Sequence, residues 1–96
     1  MQWRREEGQL AVNLEVYVEH ECFVCRHTPA LAAAVKAEFP EIHVELINLA
    51  EGRGAYRDLV VAVPTFILNG RVFSLGNPAP GDLRSEVARL LEEAGT

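Results

Sequence analysis

Two cysteines, Cys22 and Cys25, stand three residues apart where a run of alternating apolar residues gives way to a segment rich in helix-forming residues. If a helix begins at Cys22, both sulfur atoms lie on one face of its first turn, which suits a reversible disulfide. The free N–H groups and positive dipole end of a helix N-terminus favour the thiolate of Cys22. The spacing therefore predicts a redox-active pair, with Cys22 as the nucleophile and Cys25 as the resolving thiol.

Two histidines flank the pair and leave a second interpretation open. His20 and His27 complete the pattern His-x-Cys-x-x-Cys-x-His, and zinc binds imidazole and thiolate ligands. His20, however, falls in the loop before the predicted helix, and His27 falls on a different side of that helix from the cysteines. An inert core pair or a passive disulfide is also compatible with the spacing alone. The pattern favours exchange, with a metal-binding or partner-docking module as the alternative.

The composition is typical of one globular domain. The chain has 96 residues, 49% of them hydrophobic and 24% charged, with a formal net charge of -5. Because acids and bases are interspersed without a basic stripe, nucleic acid is not an expected partner. No apolar stretch approaches the roughly 18 residues that a membrane span requires, and small secreted domains usually carry several disulfides. We therefore expect a cytoplasmic protein, with residues 1–9 as a flexible lead-in and residues 10–96 as the single domain.

The residues around the cysteines predict a strand, a helix and a second strand. Residues 10–18 alternate between apolar and polar side chains, as a β-strand requires. Residues 22–39 have a helical composition, so a helix is predicted to begin at Cys22 and to kink at Pro29. Residues 42–49 alternate again and predict a half-exposed strand near a sheet edge, parallel to the first strand.

A β-hairpin is predicted in the second half of the chain. Asn69-Gly70 separates residues 65–68 from residues 71–75, which both read as strands. A type I′ turn needs a positive φ at both central residues, and Asn-Gly is the pair that adopts it most readily. These two strands are therefore predicted to be antiparallel.

Two further helices are predicted on either side of the hairpin. Residues 51–61 contain two glycines followed by apolar residues and predict a short helix. Residues 76–81 are rich in Gly and Pro and predict a loop, after which Asp82 is placed to cap a final helix. The buried face of that helix is predicted to carry Val87, Leu90 and Leu91.

This order of elements, over residues 10–94, resembles the thioredoxin and glutaredoxin superfamily. Three features found together carry the resemblance: Cys22 and Cys25 after the first strand, Val63-Pro64-Thr65 opening the third, and the Asn69-Gly70 hairpin. The resemblance implies an α/β fold with a four-stranded mixed sheet in the order 2-1-3-4, flanked by helices. It also implies a cis peptide bond at Pro64 beside the disulfide, with Val63 and Pro64 forming a platform for an extended substrate.

The chain departs from both branches of that superfamily. Phe23-Val24 stands between the cysteines, where thioredoxins carry Gly-Pro and glutaredoxins usually carry Pro-Tyr. Val16 occupies the position of the buried acid of thioredoxins, and Gly76-Asn77 replaces the glycine pair of glutaredoxins. Exposed apolar residues at the tip of a motif favour contact with a partner, so Phe23 and Val24 are predicted to bind substrate.

By this resemblance the chain is similar to a small thiol-disulfide oxidoreductase, thioredoxin-like or glutaredoxin-like. The Cys22 and Cys25 dithiol would exchange with disulfides of proteins or of low-molecular-weight thiols. No bound cofactor is required, and electrons would come from a reductase or from glutathione. The chain is expected to act as a monomer.

Overall fold

The computed structural model describes residues 12–95, which form a four-stranded mixed sheet with helices packed on it. The strands are, in chain order, β1 (Asn13–Val18), β2 (His43–Asn48), β3 (Thr65–Leu68) and β4 (Arg71–Leu75). Their order across the sheet is β2-β1-β3-β4; β1 is parallel to β2, and the other neighbouring strands are antiparallel. The predicted fold class, sheet order and strand directions are confirmed. The predicted lead-in, residues 1–9, and the first two residues predicted for β1 lie outside the described residues.

Two helices, α1 (Thr28–Glu38) and α2 (Pro80–Gly95), cover one face of the sheet. Leu90 and Leu91 of α2 pack on the core beneath, and Val87 is fully buried in it, so the predicted buried face of the last helix is confirmed. Removing these apolar side chains from water is the main stabilising contribution to the fold. The buried residues of this core are Val12, Leu14, Val16, Ala32, Val35, Ile42, Phe66, Leu68, Leu83 and Val87. Among the described residues, no helix is both long and apolar enough to cross a membrane.

The other face of the sheet is covered by an irregular segment, residues 49–63, instead of a helix. The predicted helix over residues 51–61 is wrong, because only two short 3-10 turns form here, Leu49–Glu51 and Arg57–Leu59. Gly52 and Gly54 have φ values of 72° and 118°, and neither value is compatible with a right-handed helix. The buried residues beneath the segment are Tyr17, Ile47 and Ile67.

Tyr17 joins this segment to the sheet. Its side chain is fully buried, and its hydroxyl donates to a carboxylate oxygen of Glu15 and accepts the backbone N–H of Tyr56 at 3.0 Å. Burial, and next the hydrogen bond to Glu15, raise the pKa of Tyr17 to about 12. Deprotonation would place a second negative charge beside Glu15 in the interior, so the neutral hydroxyl is the form that holds the segment.

Ionisation of Tyr17 should make the protein less stable at alkaline pH. The unfolded chain releases this proton at the ordinary pKa of 10.0 and the folded chain at about 12. The contribution of Tyr17 is therefore complete below pH 10 and is lost as the pH rises towards 12, a loss of about 2–3 kcal/mol. Urea unfolding at several pH values will measure it: Tyr17→Phe should cost about 1 kcal/mol below pH 10, for the lost hydrogen bonds, and should flatten the alkaline decline. Parallel declines in wild type and variant would contradict the assignment.

The predicted hairpin is confirmed. Asn69 and Gly70 have φ values of 49° and 82°, which are the two positive angles that a type I′ turn requires. The Asn69 side chain also accepts the backbone N–H of Asn13 at 2.8 Å, so the turn is anchored to the start of β1.

The helix that follows the cysteines begins differently from the prediction. Instead of one helix from Cys22 with a kink at Pro29, a 3-10 helix covers Val24–His27 and α1 begins at Thr28. Pro29 has no N–H to donate to the Cys25 carbonyl, which accepts the N–H of Thr28 instead. That shorter-range bond produces the 3-10 turn, and it leaves Pro29 in the first turn of α1, where the missing N–H costs nothing.

The last helix also begins earlier than predicted, at Pro80 instead of after Asp82. The N–H groups of Asp82 and Leu83 donate to the Ala79 carbonyl at 3.0 and 3.1 Å, so the helical hydrogen bonds begin at Ala79. The prediction that Asp82 caps the helix is therefore wrong. Asp82 lies inside the first turn, where its negative charge still interacts favourably with the helix dipole.

Candidate active site

Cys22 and Cys25 form a disulfide at the point where β1 passes into the first helical turn. Their sulfur atoms are 2.21 Å apart and their Cα atoms 5.2 Å apart. Cys22 is half-buried, whereas Cys25 is only 6% exposed. A reagent in solution therefore reaches the sulfur of Cys22 more readily than that of Cys25, which is the arrangement expected of a nucleophile and a resolving thiol.

The backbone of the turn directs a donor at the sulfur of Cys22. The N–H of Cys25 lies 3.1 Å from Cys22 Sγ and 3.2 Å from the Cys22 carbonyl oxygen. An N–H aimed at sulfur favours the thiolate over the thiol once the pair is reduced, since a hydrogen bond to the charged form lowers the pKa. The helix predicted to begin at Cys22 is a 3-10 turn here. The N–H of Cys25 is the backbone donor of that turn that lies next to the sulfur.

Val63 and Pro64 lie on the other side of the sulfur. The Val63–Pro64 peptide bond is cis, and the Val63 carbonyl oxygen is 3.8 Å from Cys22 Sγ. Pro64 is buried and Val63 half-buried. The structure therefore brings the two predicted platform residues next to the disulfide, although Val63 and Cys22 are 41 residues apart in the chain.

Exposed apolar side chains surround the disulfide. Phe23 and Val24, between the cysteines, are 72% and 48% exposed, and the Arg26 guanidinium lies 5.2 Å from the centre of the Phe23 ring. Because neither side chain is used to build the core, Phe23 and Val24 form an apolar rim, defined by these two residues, that faces solvent next to the disulfide.

Asn77, to which no sequence pattern gave a role, contacts the cysteine turn directly. Its side-chain Nδ2 donates to the Val24 carbonyl at 3.0 Å, and its Oδ1 accepts the Thr28 hydroxyl at 2.7 Å. The neighbouring N–H of Gly76 donates to the Pro64 carbonyl at 2.7 Å. The loop after β4 thus holds both the cysteine turn and the segment with the cis proline. The one signal in the sequence was that Asn77 stands where glutaredoxins carry a glycine.

The histidines beside the cysteines do not complete a ligand set in this structure. His20 and His27 are both exposed. Within residues 12–95, no three His, Cys, Asp or Glu side chains are grouped so that they could hold a metal ion.

Comparison with solved structures shows that the chain shares its fold with thioredoxins. Thioredoxin-2 of the malaria parasite superposes with a TM-score of 0.71, at 16% identity over 84% of each chain. Thioredoxin of Fasciola hepatica gives 0.69 at 20% identity, over 88% of this chain and 86% of that one. Mitochondrial thioredoxin 3 of Saccharomyces cerevisiae, in its oxidised form, gives 0.68 at 18% identity, over 90% and 85%. No family model and no curated protein matches the sequence. At these identities the likeness establishes the fold, as the sequence resemblance implied.

Proposed function

Starting from a thioredoxin fold with a Cys-x-x-Cys disulfide, we propose that the chain is a small thiol-disulfide oxidoreductase. The observation that supports the proposal is the environment of the sulfur atom of Cys22, a half-buried residue. Cys22 Sγ lies 3.1 Å from the N–H of Cys25 and 3.8 Å from the carbonyl of Val63, with its partner sulfur almost fully buried. A passive structural disulfide needs none of these features.

The chemistry begins with the reduced pair. The Cys22 thiolate attacks one sulfur of a substrate disulfide, forms a mixed disulfide with it, and releases the other substrate sulfur as a thiolate that takes a proton from water. Cys25 then loses its proton and attacks the sulfur of Cys22. The Cys22–Cys25 bond forms, the mixed disulfide breaks, and the second substrate thiol leaves. The pair has then given two electrons to the substrate, and an external thiol reductant, either a reductase or glutathione, returns them.

Substrate binding would use both sides of the sulfur. The backbone of Val63, which lies before the cis proline and beside Cys22 Sγ, would pair with an extended segment of a disulfide-containing substrate. Phe23 and Val24 would add apolar contact on the opposite side, since both are exposed. Such contacts favour protein disulfides over small polar ones, because burying apolar surface is the main gain that this rim offers.

A redox titration tests the proposal. The protein is equilibrated in metal-free glutathione or dithiol buffers and alkylated, and the number of free thiols is read from the mass. We expect a reversible two-electron transition between about -270 and -120 mV, the range of working oxidoreductases. Irreversible oxidation, or a disulfide reduced only far below about -300 mV, would assign the pair a structural role and refute the proposal.

A further inference from the structure

The loop after β4 contacts both sides of the sulfur site through two consecutive residues. Gly76 binds the Pro64 carbonyl through its N–H, and Asn77 binds the turn between the cysteines through its side chain. We propose that Asn77 is a positioning residue for thiol-disulfide exchange, holding that turn so that the N–H of Cys25 stays directed at Cys22 Sγ. This inference rests on the function proposed above and names a residue that the reaction depends on without touching the reacting atoms.

The chemistry of its partners determines the orientation of the Asn77 amide. The Val24 carbonyl can only accept a hydrogen bond, so the NH2 group must face it, at 3.0 Å. The amide oxygen then faces Thr28, whose hydroxyl donates to it at 2.7 Å. Thr28 is fully buried, so this hydroxyl has no access to water. The Asn77 side chain is itself exposed, but breaking its bond to Thr28 leaves a buried hydroxyl without that partner, and this favours one arrangement of the amide.

The buried Cys25 and the backbone hydrogen bonds of the 3-10 helix hold one end of the cysteine turn, and the contact with Asn77 holds its exposed part. Phe23 and Val24, the residues between the cysteines, are 72% and 48% exposed, so core packing contributes little to their position. In the oxidised state the disulfide itself closes the turn. Once the pair is reduced that covalent link is gone, and the bond from Asn77 to the Val24 carbonyl ties the turn to the rest of the fold. The direction of the Cys25 N–H, and with it the stability of the Cys22 thiolate, follows from that tie.

The pH dependence of Cys22 alkylation in the reduced protein tests the role of Asn77. Iodoacetamide reacts with the thiolate, so the rate against pH gives the pKa of Cys22, and peptide masses identify the cysteine modified. Asn77→Ala should raise that pKa by about one unit and slow alkylation by up to about tenfold at pH values below both pKa values. Thr28→Val, which removes only the donor that orients the amide, should shift the pKa in the same direction by less. Thr28→Ser keeps the hydroxyl and should restore the wild-type profile.

Lys36→Met is the matched control for a general loss of stability. Lys36, in the last turn of α1, donates to the Pro40 and Ile42 carbonyls at 2.8 and 2.6 Å, so the variant also loses two hydrogen bonds, at the end of the helix away from the cysteines. Its Cys22 pKa should equal that of wild type.

Two outcomes would overturn the positioning role. One is a wild-type alkylation profile in Asn77→Ala and Thr28→Val alike, and the other is an equal shift in Lys36→Met. Should Asn77→Ala not fold, Thr28→Val against Thr28→Ser decides the question. Alkylation needs no substrate disulfide, so a wild-type protein that fails the redox titration refutes the proposed function separately from this role.

Discussion

Cys22→Ser is expected to lose thiol-disulfide exchange by at least about a thousandfold, as enzymes do when the attacking atom is removed. A serine hydroxyl is not ionised near neutral pH and forms no disulfide, so neither the attack nor the mixed intermediate is available. The measurement is the rate at which the reduced protein, with a regenerating dithiol present, reduces a model protein disulfide. Because Cys25 is only 6% exposed, it cannot take over the attack.

Cys25→Ser should behave differently, and the contrast between the two variants is the sharper test. Cys22 remains able to attack, but no second thiol releases the product, so the variant should accumulate a mixed disulfide that mass spectrometry detects at one equivalent. Cys22→Ser, its control, should trap nothing. If Cys25→Ser also traps nothing while its Cys22 still reacts with iodoacetamide, the assignment of nucleophile and resolving thiol fails.

Gly54→Ala is expected to destabilise the fold by about 3 kcal/mol, the second large effect. A Cβ at Gly54 would lie 2.6 Å from both the Cε2 and the hydroxyl oxygen of Tyr17, and the φ of Gly54 is +118°, a backbone conformation that L side chains rarely adopt. Tyr17 cannot move aside, because its side chain is fully buried and hydrogen bonded on both sides. The backbone strain and the steric overlap should therefore add.

Gly52→Ala measures the cost of a positive φ without the steric overlap. Gly52 also has a positive φ, +72°, but a Cβ there would meet nothing within 4 Å. This variant should carry the backbone cost alone, about 1 kcal/mol. Urea unfolding of both variants with the disulfide intact measures the difference, and equal losses of free energy would show that Tyr17 yields to the added methyl group.

Local sequence was sufficient for the strands and for the hairpin. The bounds predicted for β3 and β4 are those of the structure, because the Asn69-Gly70 pair favours one turn geometry and that geometry pairs Leu68 with Arg71; the register shifts by one residue between Ile67 and Phe66. The parallel pairing of β1 and β2 followed from the helix between them. Leu14 and Val16, two apolar residues of the alternating run at 10–18, are both fully buried in the core.

The helices were predicted less well. In each case the backbone conformation of a single proline or glycine mattered more than the composition of the segment. Pro29 lies in the first turn of its helix and Pro80 begins its own, whereas the pattern had placed Pro29 inside a helix and Pro80 before one. The predicted helix over residues 51–61 did not form, since Gly54 takes a left-handed conformation to pass over the Tyr17 ring. That close approach is a tertiary contact, and the hydrophobic periodicity of the local sequence cannot reveal it.

At the candidate site, the sequence by itself determined which residues were predicted to carry the proposed chemistry. Cys22 and Cys25 were identified by spacing, and Val63 and Pro64 by resemblance, because those residue types are rare enough in that arrangement to be informative. Only the tertiary structure decided what surrounds the sulfur. Asn77 meets Val24 across 53 residues of chain and Thr28 across 49. The local sequence does not show whether the side chain of a loop asparagine will face solvent or a backbone carbonyl. The contacts of Asn77 are decided by the segments that the fold brings next to its loop.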